Sequence, residues 1–145
     1  MKATHYITFI TVVFIGLFFF TGMEKVWYHR TFHIMLHKQP LANWMKAALD
    51  WGLPLVELAA VALLTITRTR LYGLWASAAL MLAFAVYTAY AASEPYGEVV
   101  CACGKLFSSL RWSQHFWVNV GLAAMAATGV LLYHRISKKK TAAVG

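Results

Sequence analysis

HYITFITVVFIGLFFFTGM, residues 5–23, contains no Asp, Glu, Lys or Arg, and how this stretch is read decides the fold. A helix facing water needs a charged stripe, and this run has none. Three more long apolar runs follow at residues 51–67, 71–92 and 113–133, and the only acid within them is Glu57. The 13 Lys and Arg and five Asp and Glu of the 145-residue chain fall almost entirely between or beside these runs. A 61% hydrophobic composition suits either a soluble core or a membrane bundle; this segregation of charge favours the membrane. Each run approaches the roughly 20 residues that cross a hydrocarbon core about 30 Å thick, where only a helix satisfies its own backbone groups. The expected fold is therefore all-α, a polytopic membrane protein built as a four-transmembrane-helix bundle over residues 1–136, with 137–145 a basic disordered tail. No small-residue cleavage site follows the first run, which continues Thr21-Gly22-Met23-Glu24-Lys25-Val26-Trp27, so it reads as a retained helix, not a signal peptide.

Four spans put Lys2, Arg68, Arg70, Arg135, Lys138, Lys139 and Lys140 at one end, with no acid among them. The other end carries Lys25, Arg30, Lys38, Lys46, Lys105 and Arg111, mixed with Glu24, Asp50, Glu94 and Glu98. The first set is packed tightly against helix ends, which by the positive-inside bias places both termini in the cytoplasm of a bacterial inner membrane. The +8 net charge then reports topology and anionic lipid, and a nucleic-acid partner is not expected.

In that orientation Cys101-Ala102-Cys103 faces the periplasm, where disulfides form and persist. A disulfide closing so small a ring is strained, and strained disulfides have the more oxidising potentials that suit exchange. Two structural cysteines, or half of a metal site, fit the same spacing. Glu57 lies about 9 Å of helix beyond Trp51, in the periplasmic half of the membrane. Inserting a charge there costs on the order of 2.5–3.5 kcal/mol. Lys25, at the end of the first run, has a stem long enough to reach it, so a Lys25–Glu57 ion pair is expected, with Glu24 turned to solvent or headgroups. Pro54, one turn earlier, is expected to loosen that helix. His115 and Asn119 share one helical face, with Asn119 at about the depth of Glu57. There His115 is a candidate modulator of the cysteine thiols, although an interfacial histidine and a helix-gluing asparagine fit equally well. His29, His33 and His37, four apart, form one stripe of an interfacial amphipathic helix. As a metal site they are a weak alternative, since no carboxylate lies on that stripe. Trp27, Trp44, Trp51, Trp112 and Trp117 read as interface anchors, and Ala85 with Ala89 and Ala123 with Ala127 as close-packing pairs.

Gly22-Met23-Glu24-Lys25, Leu53-Pro54-Leu55-Val56-Glu57-Leu58, Cys101-Ala102-Cys103 and the span from His115 to Asn119, in this order and spacing, resemble the MauE branch of the DoxX-like membrane proteins. The likeness runs from about residue 5 to residue 133. It implies a four-helix membrane bundle tied to periplasmic redox chemistry, in methylamine utilisation, that helps mature a disulfide-rich dehydrogenase subunit beside a thioredoxin-like protein. Relatives in the wider group imply quinone as a cofactor, and the architecture is similar to that of disulfide-forming membrane enzymes. Carried onto this chain, Cys101 and Cys103 are the redox pair, and Lys25 with Glu57 the intramembrane polar pair. The chain departs from the pattern in following its second cysteine with Gly104-Lys105-Leu106-Phe107 and in carrying the histidine stripe. Its single cysteine pair is also fewer than disulfide-forming membrane enzymes use.

The expected function is thus a thiol–disulfide exchange component serving a periplasmic thioredoxin-like or disulfide-containing partner. Two rivals stand beside it: a non-catalytic anchoring subunit of a larger membrane complex, and a quinone-coupled subunit or small transporter.

Overall fold

The computed structural model describes residues 2–39, 41–93 and 111–145. Among them the chain is all-α, with five helices: α1 Lys2–Trp27, α2 His29–His37, α3 Asn43–Thr65, α4 Arg70–Ser93 and α5 Trp112–Val144. Four of these, all but α2, are long and apolar enough to cross a membrane. Their outer surfaces carry exposed large apolar side chains such as Phe9, Val12, Leu55, Leu82, Val86 and Leu131, which suits lipid and not water. The chain is a multi-pass membrane protein.

The helices close into a ring in which α1 packs chiefly on α3 and α4 chiefly on α5, with α3–α4 and α1–α5 contacts completing it. Ile10, Phe14, Phe18, Ala60, Leu64, Leu74, Met81, Ala126 and Val130 form the buried core, with Phe14 and Phe18 stacked at 5.7 Å between ring centroids. Lipid tails are as apolar as these side chains, so close van der Waals packing, not escape from water, holds the bundle together. Hydroxyls inside the spans are satisfied locally: Thr11, Thr21, Ser77 and Thr88 each donate to the carbonyl four residues back, the usual solution where water is absent.

Several boundaries differ from the sequence expectation. α3 starts at Asn43, eight residues before the apolar run, because its first two turns are amphipathic and pack beside α2; it stays helical through the buried Pro54. Residues 137–144, expected as a disordered tail, continue α5 as helix; Lys and Ala are good helix formers, and nothing in SKKKTAAV breaks the pattern. Of the alanine pairs, Ala85 is buried, but Ala89 and Ala127 face outward. The inward stripe of α4 is instead Leu74, Ser77, Met81, Ala85 and Thr88, a spacing of three and four residues that a simple i, i+4 pairing does not follow. At the α3–α4 turn the last carbonyls of α3 are met by side chains, Thr69 Oγ1 donating to Leu63 O (3.0 Å) and Arg70 Nε to Leu64 O (3.4 Å), as helix ends require. Gly73 makes this turn possible: a Cβ there would stand 2.8 Å from the Leu64 backbone nitrogen.

Candidate functional site

α1 and α3 pack closely at Gly22, where a Cβ would lie 3.2 Å from the Leu58 side chain and 3.5 Å from Glu57 Cβ. One turn further along α1, Lys25 faces Glu57. Lys25 Nζ donates to Glu57 Oε1 at 3.1 Å, to Oε2 at 3.2 Å and to Thr21 O at 3.3 Å. The ammonium has three N–H bonds, and these three acceptors employ them all. Both side chains are 2% exposed. Phe32 of α2, itself buried, covers the pair, its ring centroid 5.9 Å from Lys25 Nζ. The two residues expected to pair from sequence therefore do so, in a buried setting roofed by α2. Glu24, expected at solvent or headgroups, is half-buried, because α2 folds back over the end of α1.

Lys25, Glu57 and Thr21 line a cavity of about 30 Å³ together with His115 and Asn119 of α5. Its volume matches one water's share of the liquid, about 30 Å³. His115 is 3% exposed and sits in the first turn of α5. The buried Nδ2 of Asn119 has no hydrogen-bond partner among the described residues, so a donor lines the cavity beside the ion pair. α1, α3 and α5 thus bring four of the sequence-named polar residues to one place. Cys101 and Cys103 lie outside the described residues, in the segment between α4 and α5.

The histidine stripe builds a separate cluster. His33 Nδ1 lies 2.8 Å from Asp50 Oδ2, and because a carboxylate only accepts, the imidazole N–H donates. His29 Nε2 is 3.2 Å from Asp50 Oδ1, within ion-pair distance but not aligned as a hydrogen bond, and its ring stacks on Trp51 at 3.9 Å. His37 packs against His33 at 4.2 Å between ring centroids. The carboxylate missing from the stripe is supplied by α3, a contact that no inspection of α2 alone reveals. Among the described residues no group of three or more His, Cys, Asp or Glu side chains is arranged to hold a metal ion: His29 and His33 engage Asp50, and His37 lies against His33.

Sequence reading also missed the parts that Thr21 and Phe32 play at the ion pair, although both could have been found. Thr21 precedes Lys25 by one helical turn, and Phe32 with Leu36 forms the apolar stripe of α2. Gln39 and Tyr87, hydrogen-bonded to each other beside an apolar pocket of about 280 Å³ between α3 and α4, had no sequence signal, since they lie 48 residues apart.

No curated protein and no solved structure matches the chain. A family model does, over residues 3–132, which take in α2, α3 and α4, nearly all of α1, the first two-thirds of α5 and every polar group of the cavity. The chain belongs to the MauE family, described as methylamine utilisation protein MauE.

Proposed function

We propose that this protein is an inner-membrane component of thiol–disulfide exchange, in which Cys101 and Cys103 exchange with a periplasmic thioredoxin-like or disulfide-containing partner. The observation that carries this reading is the convergence of His115, Asn119, Lys25 and Glu57 on one cavity at the end of the bundle where α5, the helix that follows the Cys-x-Cys segment in the chain, begins. A thiolate of one protein attacks a disulfide of the other, breaking that S–S bond and forming a mixed disulfide; the second thiolate of the attacking pair then resolves it. One disulfide is reduced, one is formed, and the two protons pass from the oxidised dithiol to the reduced one. His115 suits the proton side of this exchange, since an imidazole close to a thiol favours the thiolate. Membership of the MauE family supports a role in methylamine utilisation, with the disulfide-containing partner a protein of that process.

Net turnover in one direction needs a two-electron acceptor or donor, and a membrane quinone is the class that fits. The apolar pocket between α3 and α4, lined by Leu49, Leu53 and Leu80 with Gln39 and Tyr87 at its polar edge, has walls suited to such a ring. Bound quinone would accept two electrons and two protons.

A second reading is favoured by one feature of the ion pair: Lys25 Nζ already has all three of its hydrogen bonds, as a lock between α1 and α3 requires. In that case the protein is a non-catalytic assembly subunit. Trapping separates the two. Cys101→Ser or Cys103→Ser, made in the intact chain in cells, should accumulate a reductant-sensitive adduct with a periplasmic protein. If neither variant forms one, and the double Cys→Ala chain supports its partner fully, the exchange reading fails and the assembly reading stands. An impermeant thiol reagent that labels Cys101 and Cys103 only after the inner membrane is broken would invert the orientation.

A further inference from the structure

At the other end of the bundle, away from the polar cavity, a pocket of about 270 Å³ opens between the start of α1, the α3–α4 turn and the far part of α5. We infer that this pocket is a binding site for the phosphate headgroup of an anionic phospholipid. Two cations line it, Arg70 from the first turn of α4 and Lys140 from the last turns of α5, together with Thr8, Thr67 and Ser137. The lining residues come from α1, the α3–α4 turn, α4 and α5 and face one volume several times the ~30 Å³ of a water molecule.

The charge around it is unbalanced. All five acidic residues of the chain, Glu24, Asp50, Glu57, Glu94 and Glu98, belong elsewhere, whereas Lys2, Arg68, Arg135, Lys138 and Lys139 share this end. Arg70 stands in the first turn of α4, which carries no acid, so its guanidinium adds to the positive end of a helix dipole, where a cation is disfavoured and an anion welcome. Its Nε is committed to Leu64 O, which fixes the guanidinium and leaves its two terminal nitrogens as the edge that suits two phosphate oxygens. Lys140 reaches the pocket only because α5 continues as helix past the membrane: Tyr133, Ile136, Ser137 and Lys140 fall on one stripe, spaced by three and four residues.

The lipid source, and not a soluble phosphate, follows from the rest of the lining and the surroundings. Ile7 and Ile136 give the pocket an apolar floor, and Tyr6 and Phe9, on the adjoining face of α1, are 62% exposed, a surface on which acyl chains can lie. In the orientation proposed above, this end meets the cytoplasmic leaflet, whose anionic lipids attract basic segments.

The test uses the full chain in nanodiscs of phosphatidylcholine, with or without about one-fifth phosphatidylglycerol, a fraction large enough to set the surface potential. Wild type should retain phosphatidylglycerol on transfer to detergent, read by native mass spectrometry. Arg70→Gln with Lys140→Gln should lower that retention about thirtyfold. Lys138→Gln with Lys139→Gln removes the same charge from outside the pocket and should lower it by less than about threefold. Equal losses in the two double variants would mean diffuse surface charge and overturn the site, as would undiminished retention in the first. A third arm adds inorganic phosphate to the phosphatidylcholine sample. If phosphate alone reproduces the thermal stabilisation given by phosphatidylglycerol, the site takes a soluble anion and the lipid assignment is wrong.

Discussion

Asp50 and Glu57 stand seven residues apart on α3, two helical turns along the same side, and each meets a basic side chain on a neighbouring element. Glu57 is paired with Lys25 in a setting where both side chains are 2% exposed. Asp50 is paired with His33, whose side chain is 48% exposed, and with His29. The chemistry is the same carboxylate in both cases; the surroundings differ, and they set what each contact is worth. A charge taken out of water needs a partner and further hydrogen bonds, so removing one member strands the other at high cost. A pair at the membrane surface can turn to water instead, and its loss is cheap. The deep pair accordingly fixes α1 against α3, while the shallow one merely docks α2.

The sharpest way to break this contrast is Glu57→Ala. It leaves the Lys25 ammonium buried with only the Thr21 carbonyl, and stability should fall by about 3–5 kcal/mol, read as a large drop in midpoint in thermal unfolding of the purified protein in detergent. A loss under about 1 kcal/mol would place the pair in the class of surface contacts. Lys25→Met combined with Glu57→Leu removes both charges and should be neutral, or more stable than wild type by about 1–4 kcal/mol. This double variant also separates structure from function: if it folds and still forms the mixed disulfide, the pair is a lock, and if it folds but forms none, the pair takes part in exchange.

The same measurement on Asp50→Asn should show a loss of less than about 1 kcal/mol. Hydrogen exchange is the more telling readout here, because weakening the dock should raise exchange in residues 29–37 and leave residues 7–22 unchanged. Faster exchange in both would mean that α2 and the ion pair behave as one cooperative unit, joined through Phe32 over Lys25.

How legible these features were depends on how far apart in the chain their causes lie. The four spans were plain because a charge-free stretch such as residues 71–92 carries its own signal. The Lys25–Glu57 pair was also legible, since a lone acid in an apolar run demands compensation and Lys25 is the cation placed to give it. The family was readable from short motifs in order, and its model spans residues 3–132. Asp50 escaped notice because its partners lie on another helix: an i, i+4 search along α2 sees three histidines and no acid. The end of α5 was misread for a different reason. Lysine-rich composition marks the end of a membrane span, but it does not stop a helix that began inside one, and Lys140 reaches the Arg70 pocket through that continuation.

The smallest expected effect tests the geometry beneath the deep pair. At Gly22 α1 packs closely on α3, and an added Cβ would meet Leu58 Cδ2 and Cγ at 3.2 Å. These atoms belong to a flexible side chain, so a shift of a few tenths of an ångström relieves the contact, at a cost that the gain of about 1 kcal/mol from Gly to Ala in a helix offsets. Gly22→Ala should therefore change stability by no more than about 0.5 kcal/mol in either direction. Gly73→Ala has the same helix gain but drives its Cβ to 2.8 Å from a backbone nitrogen, which cannot move aside, and should be clearly the more destabilising. If Gly22→Ala instead costs as much as Gly73→Ala, then Leu58 has no room to yield. The spacing of α1 and α3, and with it the reach of Lys25 to Glu57, would then be set by the glycine contact and not by the ion pair.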